Sequence, residues 1–128
     1  MELEVLRLPH ADDGLDELST IGPTRISELR DGHINTWTLD PAKLGLTNAR
    51  LSDLQVASVE EAADMLRQVM HGTPGPARDI ALLNAAAGLV IAGKSKDLEE
   101  ALVQAADAID TGKAQRTLAA LIKASQSS

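Results

Sequence analysis

The feature that most constrains the fold of this 128-residue chain is a change in the spacing of its apolar residues near Ser58. Before Ser58, apolar side chains recur about every second residue in three runs, as in strands; after it, they recur at the spacing of a helix face. The pattern predicts that Ser58 to Ala124 is mainly helical and that strands are confined to the first 40 residues. The three strand-like runs are Leu3 to Leu8, Thr24 to Leu29 and His33 to Leu39.

A hairpin is predicted between the second and third runs, because Asp31 and Gly32 stand between them. An Asp-Gly pair suits a two-residue turn that needs positive φ, which glycine adopts without steric cost. After Asp40, the segment from Pro41 to Gly45 predicts one helical turn closed by the glycine.

Four helices are predicted after Ser58. Capping-box spacings, Ser58 with Glu61 and Asp97 with Glu100, mark two of their starts. Pro76 suits the first position of another, and Thr111 is the predicted N-cap of the last. The helix that follows Pro76 is apolar around most of its girth from residue 80 to 91, so we expect it to lie centrally.

Composition and charge restrict the function. Nineteen Asp and Glu against twelve Lys and Arg give a net charge of −7, which disfavours nucleic acid, and Trp37 alone offers no series of stacking platforms. The absence of cysteine excludes disulfides and thiolate metal sites. No apolar run approaches the roughly 18 residues of a membrane span, and the N-terminus does not resemble a signal peptide. These observations predict a cytoplasmic protein that binds neither nucleic acid nor membrane.

The densest polar segment follows the first predicted strand and His10. It holds four carboxylates in six residues: Asp12, Asp13, Asp16 and Glu17. Carboxylate oxygens at the end of a strand suit a magnesium–pyrophosphate site, because Mg²⁺ prefers hard oxygen ligands and keeps several waters. From the residues alone, an acidic turn with solvated side chains is the stronger alternative.

Other polar residues predict no site. His10, His33 and His71 lie far apart and lack the spacing of metal ligands. Ser19 and Thr20 have no base at a catalytic spacing and are interpreted as loop residues. We expect the glycines and prolines from 72 to 76 to separate helices, because prolines remove the backbone donors that a phosphate loop needs.

An ordered set of short motifs nevertheless resembles one enzyme family, the anthranilate phosphoribosyltransferases. Single motifs are weak, but their order and spacing match over Leu3 to Leu121. They are Gly14 to Ser19, Gly22-Pro23-Thr24, Asp31-Gly32, Leu44-Gly45-Leu46, Gly75 to Asp79, Leu83 to Ala86 and Ile109 to Ala114.

The resemblance implies transfer of the phosphoribosyl group of phosphoribosyl pyrophosphate to anthranilate, with release of pyrophosphate, in tryptophan biosynthesis. It implies Mg²⁺ as cofactor and Asp16 and Glu17 as its ligands. The matches at Arg78-Asp79 and Asn84 are interpreted as structural, and Ala11 stands where the family more often has glycine. The family's substrate-contacting motifs belong to an upstream portion, so no catalytic residue is assigned and the substrate-binding residues stay unidentified.

The combined prediction is an α/β fold in which a short mixed sheet packs with about four helices. Residues 1–57 would form strands and loops and residues 58–128 helices, as the C-terminal part of a larger catalytic domain of the nucleoside phosphorylase and phosphoribosyltransferase kind. Because the chain opens inside an apolar strand, we expect missing upstream sequence or a second copy to cover that strand. A scaffold protein that keeps the fold without the chemistry is the main alternative, and a nucleic-acid-binding relative is disfavoured by charge.

Overall fold

Residues 14–126 are described by a computed structural model. The hairpin comprises strands β1 (Thr24–Arg30) and β2 (His33–Leu39), and short 3-10 helices follow at Pro41–Leu44 and Leu51–Asp53. Four α-helices complete the chain: α1 (Val59–Met70), α2 (Pro76–Ile91), α3 (Leu98–Asp110) and α4 (Lys113–Ser125). None of the helices in this part of the chain is long and apolar enough to cross a membrane.

The predicted change of pattern near Ser58 is confirmed. Within residues 14–126, both strands precede Asp40 and the chain is helical from Val59, apart from short connections. The α/β class is confirmed as well, with the two strands paired antiparallel. The predicted strand Leu3 to Leu8, its pairing with another element, and the mixed character of the sheet concern residues outside those that the structure describes.

The hairpin turns at Asp31 and Gly32, as predicted. Asp31 has φ 52° and Gly32 has φ 74°, the two positive values that a type I′ turn requires. Arg30 therefore pairs with His33, and the register continues to Thr24 opposite Leu39.

Side chains cap α1 and α3 at their N-termini. The Ser58 hydroxyl accepts the Glu61 N–H at 3.1 Å, and the Asp97 carboxylate accepts the Glu100 N–H at 2.9 Å. The predicted reciprocal bonds are displaced by one residue, since Glu61 and Glu100 accept the N–H groups before the caps, those of Ala57 and Lys96. Each glutamate thus orders the chain that enters its helix.

The prediction for Thr111 was wrong. Its hydroxyl donates backwards to the carbonyl of Asp107 at 2.6 Å and so belongs to the end of α3. Gly112 is the N-cap of α4 and provides no side-chain bond. A threonine hydroxyl can bond to the carbonyl four residues earlier or cap the next helix. In the two-residue connection of Thr111 and Gly112, the hydroxyl makes the first kind of bond.

Helix α2 is central, as its apolar girth predicted, because it contributes to both clusters of buried residues. Its Leu83 and Ala87 lie in the first cluster, and its Leu82 lies in the second. The first cluster also contains Leu18, Ile26 and Leu39, which join the loop before β1 and the hairpin to α2. The second also contains Val69, Ala105 and Ile109, which join α1 and α3 to α2.

A two-bond ion pair connects the start of α2 to the end of α3. Arg78 donates from its two terminal nitrogens to the two carboxylate oxygens of Asp110, at 2.8 and 3.0 Å. The Arg78 side chain is only 12% exposed, so its planar group is held in place by packing.

Replacing Arg78 by lysine should lower the free energy of unfolding, because a lysine cannot make both parallel bonds. We expect a loss of about 1 kcal/mol, since the Asp110 carboxylate is more than half exposed. Urea unfolding followed by circular dichroism measures the loss. Lys113→Arg is the control, because Lys113 pairs with Asp107 through an exposed side chain. Equal stability of Arg78→Lys and the unchanged chain would contradict a contribution from the two-bond geometry.

Gly32→Ala should destabilise the chain by about 1 kcal/mol, because alanine in the left-handed region carries a steric penalty. An added Cβ at Gly32 meets no atom within 4 Å, so the effect is one of backbone conformation alone. Gly22 is the matched control: its Cβ would also meet nothing, and its φ lies outside the positive range. Thermal unfolding should separate the two variants, and identical midpoints would show that the turn tolerates alanine.

Candidate functional site

The predicted metal ligands lie in the loop that leads into β1. Asp16 and Glu17 are exposed, whereas the next three residues, Leu18, Ser19 and Thr20, are wholly buried. The loop therefore changes from solvent to core within one residue. An exposed acidic pair beside a buried anchor is accessible to a ligand and restrained at one end.

Asn84 of α2 holds this loop by its backbone. The Asn84 carbonyl oxygen accepts the Leu18 N–H at 3.0 Å, and its amide nitrogen donates to the Leu18 carbonyl at 2.9 Å. The same nitrogen donates to the carbonyl of Ile80, one helical turn earlier, at 3.0 Å. The N–H of Leu18 thus determines which end of the amide is oxygen, and the side chain has a fixed orientation.

Other hydrogen bonds fix the residues that follow Leu18. The Ser19 N–H donates to the Thr24 hydroxyl at 3.3 Å, and the Ile21 N–H donates to the Ser19 hydroxyl at 3.0 Å. The Thr20 carbonyl accepts the Ala49 N–H at 3.0 Å. The loop is consequently tied to the first residue of β1 and to the segment that follows the first 3-10 helix.

The Thr20 hydroxyl is buried and has no hydrogen-bond partner within residues 14–126. A buried hydroxyl without a partner lowers stability, so this position differs from the satisfied groups around it. Its hydroxyl lies in the same buried segment that anchors the acidic pair.

The chemistry of the donor set fits Mg²⁺. Two adjacent carboxylates provide hard oxygen ligands, and Mg²⁺ is usually held by one or two carboxylates while waters and substrate phosphates complete its shell. Within residues 14–126, no group of three or more His, Cys, Asp or Glu side chains could hold a metal by itself. The pair can thus supply part of a coordination shell. Asp12 and Asp13 lie outside the described residues.

The described histidines belong to separate elements. Nδ1 of His33 lies 2.9 Å from the Asp31 carbonyl in the hairpin turn, and Nδ1 of His71 lies 2.8 Å from the Arg67 carbonyl at the end of α1. Both side chains thus interact with their own turns, and His10 lies outside the described residues.

A groove lies elsewhere in the helical part, with a volume of about 840 Å³ and a mainly apolar lining. Asp16 and Glu17 do not line it. Polar groups that could orient a phosphate or a metal are few in the groove, so we assign the candidate site to the acidic loop rather than to this groove. The polar and charged lining residues are Gln104, Asp107 and Lys113.

Sequence reasoning assigned no role in the site to Asn84, Ser19 or Thr20. Asn84 was interpreted as a structural residue of the packed helix, and the two hydroxyl residues as loop. One signal was available for Asn84: it is the single polar side chain in the apolar run from 80 to 91. A polar group in such a run needs a partner outside the helix. The burial of Ser19 and Thr20 had no comparable signal.

Comparison with known proteins yields anthranilate phosphoribosyltransferases among the matches. An anthranilate phosphoribosyltransferase of Rhodopseudomonas palustris strain HaA2 is 45% identical over 122 residues, which are 95% of this chain and 36% of the relative. One of Methylobacterium nodulans is 48% identical over 116 residues, 91% of this chain and 34% of the relative. The chain thus spans about a third of the length of the curated relatives it matches.

Solved structures show the same relationship. The anthranilate phosphoribosyltransferase of Saccharomyces cerevisiae in complex with PRPP and Mg matches with a TM-score of 0.80 and 27% identity, over 92% of this chain and 34% of that one. The same yeast enzyme in complex with 4-fluoroanthranilate gives 0.81 and 27%, over 92% and 35%. The enzyme of Thermus thermophilus gives 0.71 and 34%, over 80% and 30%.

The family model described as "Glycosyl transferase family, a/b domain" matches residues 5–115. This match covers the acidic loop, the hairpin, α1 to α3 and the start of α4. Because it spans well over half of the sequence, the chain belongs to this glycosyl transferase family.

Proposed function

We propose that this chain is the C-terminal part of an anthranilate phosphoribosyltransferase. The complete enzyme would transfer the phosphoribosyl group of phosphoribosyl pyrophosphate to anthranilate and release pyrophosphate, in tryptophan biosynthesis. The observation that carries the proposal is the identity of 45–48% with two enzymes of that name over more than nine tenths of the chain. The proposal includes a division of the chain within one larger domain, with strands and loops over residues 1–57 and helices over residues 58–128.

Asp16 and Glu17 would hold Mg²⁺ in this enzyme. Support comes from their exposure, from the anchored backbone beside them, and from the yeast structure in complex with PRPP and Mg. The ion would neutralise charge that develops on the departing pyrophosphate. The contribution of the chain is to present the two carboxylates side by side, while Leu18 to Thr20 secure the loop to the core.

The partners of the complete enzyme would be phosphoribosyl pyrophosphate, anthranilate and the upstream portion of the protein. The yeast structures with PRPP and with 4-fluoroanthranilate support the two substrates. A cytoplasmic location and self-association of the chain stay predictions from the sequence.

The 128-residue chain by itself should show no detectable consumption of anthranilate with phosphoribosyl pyrophosphate and Mg²⁺. It spans about a third of the length of its relatives, and holding both reactants in register can contribute about 7–11 kcal/mol to lowering the barrier. The fall in anthranilate fluorescence measures the reaction. Robust turnover by this chain alone would contradict the proposal that its site is incomplete.

A chimera tests the same point positively. This chain would replace the matching third of the Rhodopseudomonas palustris enzyme, with which it is 45% identical, and activity should be restored. An inactive chimera with an intact fold and bound substrates would favour the alternative of a scaffold without the chemistry.

In an active chimera, Asp16→Asn combined with Glu17→Gln should lower turnover by at least about a hundredfold, because the metal would lose both charged ligands. Excess Mg²⁺ should recover part of the loss. The control is Glu60→Gln with Glu99→Gln, which changes the net charge equally at two exposed helix starts. Full activity of the Asp16 and Glu17 variant would refute the assignment of this loop to the metal.

A further inference from the structure

We propose that Asn84 is the positioning residue of the acidic loop, whose amide holds the Leu18 peptide so that Asp16 and Glu17 keep one arrangement suited to a divalent cation. The inference rests on the proposed function, since it concerns the same metal site. It adds a residue that lies 66 positions along the chain from Leu18, on a different element.

The geometry of the contact between Asn84 and Leu18 supports this role. Two hydrogen bonds join the Asn84 amide to the backbone of Leu18: the amide accepts the Leu18 N–H at 3.0 Å and donates to the Leu18 C=O at 2.9 Å. A contact at two points restrains both the position of the Leu18 backbone and its rotation. The Leu18 side chain, 0% exposed, supplies a third point in the first core cluster. Glu17 precedes this fixed residue directly, so its backbone begins from a defined direction.

The residue type at position 84 supports the same role. Alanine or leucine would suit the apolar run from residue 80 to 91 better, because asparagine is the poorer helix former and carries a polar group into a partly buried position. The third bond, to the Ile80 carbonyl, satisfies the second proton of the amide within α2. What asparagine offers and an apolar residue cannot is the matched donor and acceptor for the loop peptide.

A restrained loop would also favour metal binding. A loop that is free before binding must be ordered when it binds, which weakens affinity. Groups that orient metal ligands without touching the metal typically contribute about 10–100-fold to affinity. Asn84 bonds to Leu18, the residue next to Glu17, and not to a metal ligand itself. We therefore expect an effect on metal affinity at the lower end of this range, about tenfold.

The test uses the 128-residue chain labelled with ¹⁵N and three variants. Asn84→Ala removes the amide, and Asn84→Leu removes it while keeping volume, in case the smaller side chain prevents folding. Leu82→Ala is the matched control, because it lies on the same helix and perturbs the second core cluster, which does not contain Leu18.

Without metal, amide hydrogen exchange reports the restraint itself. Both Asn84 variants should accelerate exchange of the Leu18 N–H by about tenfold relative to the unchanged chain, after correction for global stability. Leu82→Ala should not change the corrected exchange rate of that amide. With Mn²⁺ as the probe, broadening of the Asp16 and Glu17 resonances gives the affinity, which should fall about tenfold in the Asn84 variants and stay unchanged in Leu82→Ala.

The outcomes separate this inference from the proposed function. Unchanged Leu18 exchange in the Asn84 variants would overturn the inference, whatever the metal does. Faster exchange with unchanged Mn²⁺ affinity would overturn it too, since the restraint would then serve the fold alone. Faster exchange in the variants, with no broadening at Asp16 and Glu17 in the unchanged chain, would refute the metal assignment and this inference together, and would leave the Asn84 bonds a role in the fold alone.

Discussion

The two hydrogen bonds between the Asn84 side-chain amide and the Leu18 backbone connect the helices of this chain to the loop and hairpin that precede them. Helix α2 is central to the helical part, and the loop that contains Leu18 leads into β1 and the hairpin. Because the Leu18 side chain packs with Ile26, Leu39 and Leu83, the same contact aligns the hairpin with α2. The hydrogen bonds of the Asn84 amide satisfy the backbone N–H and C=O of Leu18 where the chain enters the core. The apolar side chains provide most of the stabilisation.

The abrupt change in burial along the loop follows from this arrangement. Buried polar groups need partners, and the backbone from Leu18 to Thr20 finds them in Asn84, Thr24 and Ala49. Asp16 and Glu17 precede the anchored segment and stay in solvent, where two carboxylates incur little desolvation cost. The Leu18 peptide is therefore the boundary between the core and the proposed metal site. The residues after it belong to the core, and the residues before it are available to a cation.

Much of the fold could be predicted because its signals are local. The spacing of apolar residues gave the division at Ser58, Asp31-Gly32 gave the turn, and Pro76 gave the start of α2. Thr111 was assigned to the wrong helix because two adjacent helices compete for one hydroxyl, and the spacing of residues does not say which carbonyl or N–H is nearer.

The candidate site could be predicted only in part. Asp16 and Glu17 came from the resemblance to the anthranilate phosphoribosyltransferases, since four acidic residues in a loop are by themselves more typical of a solvated turn. The place of Asn84 in an apolar run indicates a partner outside α2, but the identity of that partner could not be predicted, because Leu18 lies 66 positions away and no local pattern encodes the contact.

The central claim is that the anchored loop presents Asp16 and Glu17 to a divalent cation beside pyrophosphate. The most direct measurement is an anomalous difference map from crystals of the active chimera grown with Mn²⁺ and pyrophosphate. The account predicts a peak about 2.0–2.2 Å from carboxylate oxygens of Asp16 or Glu17, with pyrophosphate oxygens and waters completing the shell. A fully occupied metal and pyrophosphate site that excludes both carboxylates would contradict it.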